Sequence, residues 1–171
     1  MNFIAIDFGN YTGYSFFENW QYKKSYSFKI LTEQSTLSVQ IVDTFFNKVK
    51  DKIDIIDCFV VEDYAYSRGF FNSNQSEMIG AFKYKVFKEI KKPIYFVNIS
   101  TARKILLDDG RATKSKIRKF VKYQVGELNN QHEYDSVFIG FAFRELFLKN
   151  KEFSDAMKRR SIIFNKNLTK T

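Results

Sequence analysis

Apolar and polar positions change their spacing several times along the chain, and each change predicts an element. Residues 2–8 (NFIAIDF) alternate as a short strand whose last polar position is Asp7, and Gly9 and Gly13 bracket a tight turn into TGYSFFEN. Aromatic and other β-compatible residues continue through 20–30 (WQYKKSYSFKI), so the chain should open with an antiparallel meander of three strands. Between 36 and 50 the spacing becomes helical, with Leu37, Ile41, Val42, Phe45 and Val49 on one side. The run IIDCFVVE (55–62) is apolar without alternation, as in a central strand covered on both faces, and it ends at Glu62.

After an aromatic-rich loop (DYAYSRGFFNS), Asn74 and Glu77 resemble a helix-capping pair, and the helix they start should run to about Lys91, ahead of Pro93. A short strand follows at 94–97 (IYFV), then a brief helix capped by Ser100 and running through Leu107, and a turn at LDDGR. A helix over 113–127 should bury Ile117, Phe120, Val121, Gln124 and Leu128 and align Lys114, Arg118 and Lys122 on another face. The last helix starts near His132, and its VFIGFAF stretch is apolar all round, which predicts burial. The order is α/β: a mixed five-stranded sheet, three antiparallel strands and then parallel ones, with helices on both faces.

A length of 171 residues suits one domain, over 1–148; residues 149–171, with seven Lys or Arg against two acids, read as a basic C-terminal tail. The 44% hydrophobic and 18% aromatic content excludes a disordered chain, and the 27% charged residues leave no apolar run long enough for a membrane span. The start MNFIAIDFGN has no export signal, so a cytoplasmic location is expected, and a lysine-rich composition typical of AT-rich genomes leans toward a bacteriophage source in a bacterial cell. The single Cys58 lies in an apolar run as a small core residue, which leaves no disulfide or cysteine-zinc cluster within the chain. A net charge of +9 favours a polyanionic partner, although the same lysine-rich composition would raise the charge by itself.

Three acids occupy comparable places: Asp7 ends the first strand, Glu62 ends the central strand, and Asp135 lies in the first turn of the last helix. Sites in open α/β sheets gather at the carboxyl ends of strands, and neighbouring first and central strands would set Asp7 beside Glu62. Carboxylates buried together repel and raise one another's pKa values unless a cation compensates, and Mg²⁺ is the hard ion suited to such ligands. His132, three residues before Asp135 on the same helical face, can point at the same ion or phosphate. Taken singly, each has a plainer role: Asp7 as a turn acid, Glu62 as a strand-end partner of Arg68, His132 as a surface or capping residue.

Five segments in this order resemble a RuvC-type Holliday junction resolvase over about residues 1–148. AIDFGNYTGYSFF resembles the family's opening strand, and VVEDYAY its second acidic strand end. SEMIGAFKYKVF resembles the helix that follows, STARKILLDDGRATKSKIRKFV the segment with basic residues on either side of a glycine turn, and HEYDSVFIGFA the terminal motif. The resemblance implies an RNase H-like nuclease in which Asp7, Glu62, His132 and Asp135 are metal ligands and, with Lys114, form the catalytic set. It implies Mg²⁺, with Mn²⁺ as an alternative, as two ions per active site bridged by Asp7, and no small-molecule cofactor. The reaction would be two-metal hydrolysis leaving a 5′-phosphate.

Branched DNA, four-way junctions above all, is the implied partner, cut by paired nicking in a homodimer joined through the 74–91 helix at Gly80 and Ala81. Arg103 or Lys104 and Lys114 would lie near the scissile phosphate, and with Arg111 and Arg118 they belong to a run of eight Lys or Arg between 103 and 122. Tyr64, Tyr66 and Arg68 would contact DNA around Ala65, where the family often carries a stacking Phe; Phe70 and Phe71 are an alternative pair, and core packing is the plain one. Two departures stand out: Phe8 replaces the proline after the first acid, and His132 stands where many members carry an acid. A same-fold nuclease acting on RNA and a noncatalytic nucleic-acid-binding module of that fold remain as rivals. An actin-like kinase also opens with an acid and a glycine turn but needs a second, duplicated domain.

Overall fold

The computed structural model describes residues 1–30, 37–63 and 73–149. Strands β1 (Phe3–Asp7), β2 (Tyr11–Glu18) and β3 (Gln21–Lys29) form the antiparallel meander, and β4 (Cys58–Asp63) and β5 (Ile94–Asn98) extend it in parallel to give the order β3-β2-β1-β4-β5. Helices α1 (Leu37–Val49) and α2 (Ser73–Lys85) cover one face. Helices α3 (Ile99–Leu107), α4 (Lys114–Val125) and α5 (Gln131–Lys149) cover the other. No described helix is long and apolar enough to cross a membrane.

Strand alternation decides which way the site faces. Phe3 and Ala5 of β1, and Cys58 and Val60 of β4, pack under α5, while Ile4, Ile6, Phe59 and Val61 pack under α1 and α2. Continuing each count by two brings Asp7 and Glu62 to the α5 face at the ends of adjacent parallel strands, one step beyond the Ile6–Val61 pair. Helix α5 lies over that face, buried from Glu133 through Phe143, which explains its uninterrupted apolar sequence.

Glycine at two positions permits this close approach. Gly13 sits inside β2 opposite Asp7, rather than in the turn, and a Cβ there would overlap the His132 carbonyl oxygen. Gly140 leaves room for the Phe17 ring against α5. The β1–β2 turn is closed instead by Thr12, whose hydroxyl donates to the Gly9 carbonyl at 2.7 Å.

Several element boundaries differ from expectation. Trp20 belongs to the β2–β3 turn, where Asn19 and Trp20 both have positive φ (51° and 68°), as a two-residue hairpin turn of matching twist requires. Packing of the indole on Phe3, Phe143 and Phe147 holds this large side chain in an unfavourable backbone region. Asn74 lies within α2, and Glu77 accepts a hydrogen bond from Ser38 of α1 rather than closing a capping pair. Helix α2 continues as a π-helical turn (Val86–Ile90) and stops at left-handed Lys91, before Pro93. The α3 cap is Asn98, which accepts from the Ser100 and Thr101 amides; the shorter Ser100 is already helical. Gln124 of α4 is exposed, beyond the stripe formed by Ile117 and Val121. Cys58 is buried, and its thiol pKa is pushed up by desolvation.

Candidate active site

A cleft of about 470 Å³ opens at the carboxyl ends of β1 and β4, lined by Asp7, Glu62, Arg103, Lys114, His132 and Asp135 together with Asn10 and Gln75. The sheet supplies Asp7 and Glu62, and the N-terminal turns of α5 supply His132 and Asp135. Asp135 sits in the second turn of α5, one position deeper than expected, and is 7% exposed.

One donor atom each from Asp7, His132 and Asp135 lies within 4.8 Å of the others. His132 Nδ1 is 3.0 Å from Asp7 Oδ2. The contact turns the Nδ1 edge of the imidazole toward Asp7. Tyr11 stacks flat on the imidazole, with centroids 4.8 Å apart and planes 8° from parallel. Gln131 donates to Asp135 Oδ1 at 2.8 Å, and Lys114 Nζ reaches Asp135 Oδ2 at 3.4 Å. Glu62 lines the same cleft but falls outside the compact trio.

The electrostatics favour added positive charge. Desolvation, then Asp7 and Asp135, raise the Glu62 pKa to about 8, against opposing pulls from Lys114 and Arg103. Burial and then Asp7 raise that of Asp135, which Lys114 and Gln131 only partly offset. Oxygen-rich, mutually repelling carboxylates with one imidazole suit a hard divalent cation, so this donor set passes the chemical test for a metal site.

The expected cations distribute unevenly. Arg103 and Lys114 line the cleft, and Arg103 Nε is buried with no partner among the described residues. Lys104 instead pairs with Asp108 at 2.8 Å, and Arg111 is exposed on the turn before α4. Arg118 binds Glu127 at 3.0 Å and lies over the Tyr134 ring, and Lys122 joins the same glutamate. Tyr64, Tyr66, Arg68, Phe70, Phe71 and residues 150–171 of the tail lie outside the described residues.

Several site neighbours were not singled out from sequence. Tyr11 and Gln131 adjoin the motifs that were noticed, so proximity to Asp7 and Asp135 is the one signal that could have found them. Glu133 is 3% exposed and accepts from Ser25 at 3.1 Å, Ser27 at 3.2 Å and Asn129 at 3.2 Å. Its β3 partners are distant in sequence, and no local pattern points to them.

No protein-family model and no curated protein matches the chain. Solved structures do. The Thermus thermophilus RuvC structure superposes with a TM-score of 0.68 at 16% identity, over 86% of this chain and 96% of that one. The yeast mitochondrial Holliday junction resolvase gives 0.59 at 11% identity, over 92% and 83% of the respective chains. The fowlpox virus resolvase, solved with substrate Holliday junction DNA, gives 0.52 at 12% identity over 87% and 100%. The chain therefore has the RNase H-like fold shared by RuvC and these other Holliday junction resolvases.

Proposed function

We propose that this protein is a divalent-metal-dependent endodeoxyribonuclease that resolves Holliday junctions and related branched DNA. The observation that carries the proposal is the gathering of Asp7, His132 and Asp135, beside Glu62, in an open cleft of a resolvase-like fold. Asp7, Glu62, His132 and Asp135 are the proposed ligands for Mg²⁺, with Mn²⁺ as a substitute. Two bound ions per site would supply charge neutralisation at the phosphate and a water of lowered pKa, for a cut that leaves a 5′-phosphate.

The protein's own contributions follow from the geometry. With Nδ1 turned to Asp7, Nε2 is the nitrogen that would bind the ion and so help to position its water. Lys114, 66% exposed on its long side chain, can swing between Asp135 and an entering phosphate. Arg103 projects into the cleft with Nε unpaired among the described residues and can bind the DNA backbone. Paired nicking of a two-fold junction calls for a homodimer, and α2, with Gly80 exposed, is the proposed contact.

The test compares a labelled four-way junction, the matched linear duplex and the single strand, each with Mg²⁺ or chelator. Mg²⁺-dependent paired cuts confined to the junction are expected. Equal cutting of all three would remove the junction preference and retain a general nuclease. Junction binding without cutting in Mg²⁺ or Mn²⁺ would favour a binding module, and preferential cutting of RNA would favour an RNA-processing nuclease.

A further inference from the structure

The ligands come from two separately anchored bodies: Asp7 and Glu62 ride on the sheet, and His132 and Asp135 ride on the first turns of α5. Their separation therefore depends on what holds the start of α5 in place. Gly13 permits the approach without enforcing it. Enforcement requires directional bonds between the helix start and the sheet.

Glu133 makes those bonds. It lies about 100° around the helix from His132, so it points away from the cleft when His132 points into it. Its carboxylate accepts from the Ser25 and Ser27 hydroxyls of β3 at 3.1 and 3.2 Å, and from the Asn129 and Asn130 side-chain amides at 3.2 and 3.4 Å. Asn130 also caps the helix: its Oδ1 accepts from the His132 amide at 3.0 Å and the Glu133 amide at 3.2 Å, while its Nδ2 donates to Ser27 at 2.5 Å. The result is a closed network from β3, through Glu133 and Asn130, to the backbone of His132.

We infer that Glu133 is a positioning residue that locks the His132 and Asp135 ligands of α5 against the Asp7 and Glu62 ligands of the sheet. A buried carboxylate is costly unless its lone pairs are filled, and here the Ser25 and Ser27 hydroxyls and the Asn129 and Asn130 side-chain amides fill them. Removing it strands the serine and asparagine donors and frees the helix start to shift. A displacement of well under 1 Å is enough to spoil a cation site with demanding geometry. The inference rests on the metal-site proposal for its functional consequence but not for its structural one.

The test uses Glu133→Ala and the milder Ser27→Ala in the full chain, with two readouts. The first is Mn²⁺ affinity of the folded protein by calorimetry, where loss of a group that orients a ligand weakens binding by about 10- to 100-fold. The second is the imidazole NMR signal of the metal-free protein, unambiguous because His132 is the single histidine. Val49→Ala, at the buried end of α1 on the opposite face of the sheet, serves as a destabilised control that should leave both readouts unchanged. Glu133→Ala should weaken Mn²⁺ binding at least tenfold and shift the His132 signal, with Ser27→Ala moving both in the same direction by less. If Glu133→Ala does not fold, Ser27→Ala alone decides. Unchanged affinity within twofold together with an unmoved His132 signal would overturn the inference. A wild type that binds no Mn²⁺ while the His132 signal still shifts in the variants would sink the metal proposal and leave the positioning role standing.

Discussion

Glu62 and Glu133 are carboxylates at the same end of the same sheet face, and their surroundings are opposite. Glu133 is enclosed by hydroxyl and amide donors that stabilise its charge. Glu62 faces Asp7 and Asp135, with Lys114 and Arg103 too weak to compensate, and its pKa rises to about 8. A buried acid whose lone pairs are filled by neutral donors holds structure together. One crowded against other acids is held at a cost to stability, which points to a cation that would relieve it.

The sharpest way to break the comparison is Asp7→Asn. It removes the acid that repels Glu62 and one member of the trio, so cleavage should fall by on the order of a thousandfold with junction binding retained. Single-turnover assays and gel shifts in chelator check both parts. Gly13→Ala comes next: its Cβ meets the His132 carbonyl, and forcing α5 away should cost about 3 kcal/mol in urea unfolding. It should also abolish cutting.

Glu62→Gln tests the acid side directly. A carboxyl whose pKa is raised from 4.5 unfolded to about 8 folded holds more protons in the folded state, so metal-free stability should fall as pH rises across that interval. The slope from this group is at most about 1.4 kcal/mol per pH unit. Urea melts at pH 5 and pH 8 should show that loss, Mg²⁺ should restore stability at pH 8, and Glu62→Gln should flatten the dependence while lowering activity. Lys114→Ala should slow cleavage by roughly 10- to 100-fold and change stability by less than about 0.5 kcal/mol, because its ion pair is largely exposed on the lysine side. The smallest effect belongs to Arg118→Ala. With its guanidinium held by Glu127 and Tyr134, junction affinity should change by less than about threefold at moderate salt.

The same contrast separates what the sequence made legible from what it concealed. Asp7 and Glu62 could be found because strand ends are visible in apolar runs, and His132 and Asp135 because a helical spacing of three puts them together. The mixed sheet, three antiparallel strands and then parallel ones, followed from an opening meander and later crossovers. Trp20 misled because aromatic residues favour strands, and its left-handed turn is held by distant Phe143 and Phe147. Glu133 went unnoticed because Ser25 and Ser27 are more than a hundred residues away, and Gly13 passed for a turn residue because its neighbour, the α5 backbone, is equally remote. Arg118 and Lys122 read as a free basic face until Glu127 folded back on them.

The most direct test of the central claim is a crystal of the wild-type protein soaked in Mn²⁺ and measured for anomalous scattering. A peak about 2.1 Å from oxygens of Asp7 and Asp135, lost in Asp7→Asn crystals, is the expected result. No peak in the cleft at saturating Mn²⁺, or one at a site that shares none of Asp7, Glu62, His132 and Asp135, would contradict it.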